Sequence, residues 1–177
     1  MPGAPAGCPP LFGLTLIFSE GYAAAKQGGC WGPFGFIDQR GRFVIEPRFP
    51  SASVFREDLA IIGVDSPGSA KDDEYLRGVS VFGDYGLDYH DKKYGYIHKS
   101  GVVVIPPQFA GAGVFSEGLA AVEIDAKCGY IDKSGRVVIP PQYDTAHPFS
   151  TGIARVSLGD KMGYIDKVGR YVWTPTN

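Results

Sequence analysis

The chain is short of cysteine, of histidine and of helix-length apolar runs, and each shortage narrows what it can be. Three Cys, at 8, 30 and 128 of 177 residues, make an odd number with no C-x-x-C pair. A disulfide framework or a zinc ribbon needs more. Three thiols in a reducing compartment fit, so a cytoplasmic protein is expected. No apolar run reaches the ~20 residues that span a bilayer. Residues 11–18 are apolar, but the stretch is short and lacks the basic segment that opens a signal peptide. No membrane partner is expected. Charge of one sign is missing too: 17 basic residues face 19 acidic ones, for a net charge of −2 and a pI near 5.9. Nucleic-acid binding driven by phosphate contacts needs a basic excess, so no nucleic-acid partner is expected.

Catalytic signatures are also missing. The sequence contains no G-x-S-x-G, no G-x-x-x-x-G-K-[ST] and no G-x-G-x-x-G. Its three His, at 90, 98 and 147, fall in no nucleophile–base pattern. Asp38, Asp132 and Asp166 recur at one period, and His98 takes the same slot in a fourth place. One recurring slot points to turn geometry, because a paired acid and base need different environments. The expectation is a protein that is not an enzyme and uses no cofactor.

Glycine, proline and aromatics are plentiful: 25 Gly, 14 Pro and 13% aromatic residues. They fall at repeating places. A turn reads FSEG at 18–21, FRED at 55–58, FSEG at 115–118 and FSTG at 149–152. Each is followed by a G-[FY]-I-[DH]-x-x-G segment, at 35–41, 95–101, 129–135 and 163–169. The cleanest unit is 115–148. The others are 18–54, 55–114 and 149–175, the second lengthened by an insert at 65–91. Residues 9–17 match the end of a unit, and 1–8 form a tail before the array. A unit of roughly 34 residues cannot bury its apolar face alone, so neighbours must stack.

Within a unit the pattern is β. Short β-branched and aromatic runs lie between turns, as at 119–124, 129–131 and 136–139, giving three antiparallel strands. Gly41, Gly101, Gly135 and Gly169 fit the left-handed position of the hairpin, and Gly21, Gly118 and Gly152 fit that of the second turn. In the second unit Asp58 stands in the slot of Gly21, Gly118 and Gly152 and tolerates the same conformation. Val137, Val138 and Ile139 are all apolar, which predicts burial on both faces where units stack. Pro140-Pro141 should end the third strand. Residues 142–148 admit a short helix. The fold class is all-β: a tandem array of about four three-stranded units, either solenoid-like or closed as a propeller-like ring.

The unit F-S-E-G-L-A-x-V…G-Y-I-D-K-x-G-x-V-V-I-P-P-x-Y-D, as at 115–144, resembles the bacterial WG repeat family, also called KWG repeats. The Trp that names the family would precede the Gly of G-Y-I-D; here that slot holds Phe34, Tyr94, Cys128 and Met162. Trp31-Gly32 stands three residues early. The resemblance implies a β-repeat fold, in a family of broadly unknown function often presumed to mediate binding, and no chemistry.

The insert sets this chain apart. Residues 65–91 hold seven acidic residues and two basic ones, −5 against +3 for the remainder. Insertions in repeat proteins often map to the binding face, and Tyr among Gly and Asp is an adhesive composition. Tyr75, Asp84, Tyr85, Asp88, Tyr89 and His90 are the candidate contact residues. Asp84, Asp88, His90 and Asp91 offer metal-ligand chemistry but lack the D-x-[DN]-x-[DN]-G spacing, and no metal is expected. The leading expectation is a scaffold for a protein partner, using the insert and one array face. Self-association through exposed edge strands is a second route. The alternative is a carbohydrate or cell-wall module that stacks Phe36, Tyr96, Tyr130 and Tyr164 on sugar rings. Solvent exposure of those rings discriminates the two.

Overall fold

The structure is a computed structural model that describes residues 17–27, 32–66 and 92–174. Four antiparallel sheets follow one another along the chain. The first comprises β1 (Tyr22–Lys26), β2 (Phe34–Asp38) and β3 (Phe43–Phe49). The second comprises β4 (Ser51–Ala52), β5 (Leu59–Asp65), β6 (Lys92–His98) and β7 (Val103–Phe109). The third runs through β8 (Gly111–Ala112), β9 (Leu119–Ile124), β10 (Lys127–Asp132) and β11 (Val137–Tyr143). The fourth runs through β12 (Thr145–Ala146), β13 (Ile153–Leu158), β14 (Lys161–Asp166) and β15 (Tyr171–Trp173).

Three details depart from the sequence reading. Each of the last three sheets opens with a two-residue strand (β4, β8 and β12) before the FSEG-type turn. Residues 142–148 hold the end of β11 and all of β12, and no helix. The third strand also passes through its Pro pair, because it lies at the sheet edge and bulges there. Cys128 pairs with Tyr143 and Tyr130 with Ile139, so two steps on β10 span four on β11. Pro140 and Pro141 occupy the bulge, where no ladder donor is needed.

The turns explain the spacing of the strands. In the FSEG-type turn both central residues are left-handed: Glu20 and Gly21 at φ 53° and 88°, Glu117 and Gly118 at 54° and 86°. That is the two-residue hairpin geometry matched to strand twist. In the second hairpin, Asp132 Oδ1 accepts the amide N–H groups of Ser134 and Arg136 at 2.9 and 3.1 Å. The Ser134 hydroxyl leads the interactions that hold the Asp132 carboxyl below its usual range.

The sheets stack in chain order as a solenoid-like array. On the third sheet, Leu119, Ala121, Tyr130, Ile139 and Tyr143 point forward onto Ala146, Phe149, Ala154, Val156 and Ile165 of the fourth. Ala120, Val122 and Ile131 point back onto Leu59, Ile61, Tyr94, Tyr96 and Ile105 of the second. The first and second sheets meet through Phe36, Ile45 and Phe49 against Phe55, Ala60, Ile62 and Ile97. Among the described residues, no core cluster joins the first sheet to the fourth. An equivalent aromatic contact recurs at each junction: Phe36–Phe55, Tyr96–Phe115 and Tyr130–Phe149, with ring centroids 4.7, 4.8 and 4.9 Å apart. Fully burying such a side chain contributes about 1.5–3 kcal/mol, so the apolar faces hold the stack.

A candidate binding face on the third strands

Each unit's third strand is the outer edge of its sheet: β3, β7, β11 and β15 pair on one side only. In each, a valine stands just before the residue of the forward face, which is the buried Ile45, Ile105 or Ile139 and, on the fourth sheet, the exposed Trp173. Val44, Val104, Val138 and Val172 are 46, 41, 41 and 61% exposed. Val103, Val137 and Tyr171, one residue earlier, are exposed as well. The burial expected for Val137 and Val138 is therefore not found. The stack covers the Ile139 side of the strand, and the edge leaves its neighbours open. β9 does show two-sided burial, at Leu119, Ala120, Ala121 and Val122.

Exposed valines thus recur at one repeat position on the edge strand of all four sheets, a row here termed the ridge. Exposed apolar groups scattered singly are ordinary, whereas contiguous ones mark interaction surfaces. Arg42, Arg136 and Arg170 precede three of the valine-bearing runs. Arg42 is held by Asp38 at 3.0 Å, and Arg136 and Arg170 are exposed. Proline at 47, 106–107 and 140–141 interrupts three of these edges, which limits strand addition to the valine-bearing half.

The sequence reading did not single out an ion-pair ladder beside the FSEG-type turns. The Glu20 carboxylate accepts the backbone N–H groups of Glu57 and Asp58 at 2.7 and 3.0 Å. Glu57 accepts that of Gly118 at 3.0 Å, and Glu117 that of Gly152 at 3.0 Å. Lys99, Lys133 and Lys167 pair with these glutamates at 2.8, 3.2 and 3.0 Å. Each glutamate thus ties its turn to the turn and lysine of the next unit. The ladder stops at both ends, where Gln39 takes the lysine slot and Thr151 the glutamate slot. Thr151 is left-handed at φ 53°, a conformation that β-branched residues resist. The signal was present in the sequence as the recurring Glu of FSEG and Lys of IDK.

Several candidate residues have definite places. Phe36, Tyr96 and Tyr130 are fully buried, so they cannot stack on a sugar, while Tyr164 is partly exposed. The Tyr96 and Tyr130 hydroxyls donate to the carbonyls of Gly113 and His147 at 2.7 and 2.8 Å, and burial pushes both phenols upward. His98 Nδ1 accepts the Ser100 N–H at 3.1 Å, and Cys128 packs in the core between the third and fourth sheets. Gly41, Gly101, Gly135 and Gly169 have φ between 75° and 85°. Tyr75, Asp84, Tyr85, Asp88, Tyr89 and His90, with Asp91, lie outside the described residues.

No curated protein and no solved structure matches the chain. The sequence model of the WG containing repeat matches residues 34–66, 94–128 and 129–161. Those segments make up more than half of the chain, and each contains one Gly-aromatic-Ile hairpin and the FSEG-type turn that follows it. The chain belongs to the WG-containing repeat family.

Proposed function

We propose that this array is a non-catalytic scaffold that binds another protein along the ridge of third strands. The observation that carries the reading is the exposed valine kept at one slot in four units, at Val44, Val104, Val138 and Val172. Strand propensity alone favours threonine there about as well as valine, and threonine would leave less apolar surface in water. A linear ridge suits an extended or helical partner segment that touches several units at once.

The test is a pull-down from source-cell lysate with three baits of equal fold by circular dichroism. They are the intact chain, a chain with all four valines changed to Thr, and a chain with residues 66–90 replaced by a short Gly-Ser link. The expected result is one captured protein that the four-Thr bait loses. Capture that survives in the four-Thr bait and disappears with the link would place binding in the insert and sink the ridge. Capture by none of the baits would sink the scaffold reading itself.

A further inference from the structure

The forward face of the fourth sheet is open. Met162, Tyr164 and Trp173 on it are 55, 39 and 49% exposed, while their counterparts Cys128, Tyr130 and Ile139 are buried. At the other end of the array, Ala23, Ala25 and Ile37 on the backward face of the first sheet are buried. By side-chain exposure, the end of the array that remains open is the fourth sheet's forward face. A contact between like chains through a single face is isologous, and it closes at two copies.

The composition of that face is self-complementary. Residues directly opposite on antiparallel strands share a face. On the fourth sheet Arg155 lies opposite Tyr164, and Tyr164 opposite Trp173. The same row on the earlier sheets reads Ala24–Phe36–Ile45, Ile61–Tyr96–Ile105 and Ala121–Tyr130–Ile139. Both ends of those rows are aliphatic. In the fourth row both ends change together, one to a cation and one to an indole. Rotation about a two-fold axis that runs parallel to the strands and lies above Tyr164, between the two copies, reverses the row. Each Arg155 then faces the partner's Trp173, and Tyr164 faces Tyr164. Arginine on tryptophan is a favourable cation–π pairing, and paired tyrosines add an aromatic contact. The Arg155 guanidinium already lies on this face, 2.7 Å from His147 Nε2. Thr151 lacks the carboxylate that joins one unit to the next, so the face does not repeat the internal joint.

We propose that the chain dimerises through the forward face of its fourth sheet, with Arg155 of each copy on Trp173 of the other. The contact is separate from the third-strand ridge, so either can fail alone. Sedimentation equilibrium on the full chain tests it. The expected result is a concentration-dependent shift from the 19.0 kDa chain to twice that mass. Arg155→Ala and Trp173→Leu each remove both pairings, so each weakens the dimer about tenfold. Mixed together, the two variants regain one pairing. The heterodimer should then form about threefold more tightly than either homodimer. Val138→Thr, on the ridge, leaves the dimer unchanged. A native chain that stays monomeric up to its solubility limit overturns the proposal. So does a dimer indifferent to both substitutions, or a mixture no tighter than its components.

Discussion

At Gly129 two strands of one unit come into direct contact. A Cβ placed there would lie 2.6 Å from the Ile139 carbonyl oxygen and 2.8 Å from the Pro141 nitrogen. Gly35 and Gly95 are equally close to the carbonyls of Ile45 and Ile105, at 2.5 and 2.3 Å. The bulge that carries the Pro pair presses the third strand onto the second at this point. Gly41 is a different case: its φ is 75°, but nothing lies within 4 Å of an added Cβ. We therefore expect Gly129→Ala to destabilise the fold by about 3 kcal/mol, as overpacking against backbone does. Gly41→Ala should cost only the left-handed conformation, about 1 kcal/mol. Urea unfolding midpoints would compare the two, and equal losses would refute the steric account. The sequence displays all these glycines as recurring letters. It does not separate those that need positive φ from those that need empty space, because that depends on where another strand's backbone passes.

Between elements, apolar faces provide the cohesion and the turn ladder fixes alignment. Lys167 leads the interactions that hold the Glu117 carboxyl below its ordinary 4.5, with the Gly152 N–H adding to it against partial desolvation. Glu20 is also lowered: desolvation opposes the shift, but Lys99 and the N–H groups of Asp58 and Glu57 together outweigh it. A carboxyl lowered on folding contributes stability above its unfolded pKa and loses it as pH falls through the folded value. Melting temperature should therefore hold steady above the ordinary carboxylate range and fall below it. Glu117→Gln should melt lower at neutral pH and show a shallower acid decline. An acid decline identical to the native one would remove this junction from the account. Exposed pairs of this kind add little individually, which makes register their main contribution. The ladder was legible in principle, as a Glu and a Lys recurring at fixed offsets. What linked them was stacking distance between turns far apart in the chain, such as the 61 residues from Glu57 to Gly118.

For the whole molecule, a stack in which each sheet touches only its neighbours should open from its less covered parts. β6 and β10 have both faces packed between sheets, whereas β15 is exposed along its length. Hydrogen exchange should be slowest in β6 and β10 and fastest among the paired strands in β15. Uniform protection would mean that the array opens only as a whole. The repeat, the all-β class and the stacking were legible because turn glycines, proline pairs and β-branched runs recur in one order. The exposed valines were not, since an apolar triplet looks the same whether one or both of its sides are covered. The ladder also bears on how such a chain can lengthen. Residues 115–148 carry both halves of a joint, a glutamate reaching forward and a lysine reaching back. A tandem duplication of that segment would leave every junction matched. Duplicating the fourth unit would instead set Thr151 at an internal junction opposite a lysine with no carboxylate to meet. Gene-level growth of this array is thus far easier from its middle than from its last unit.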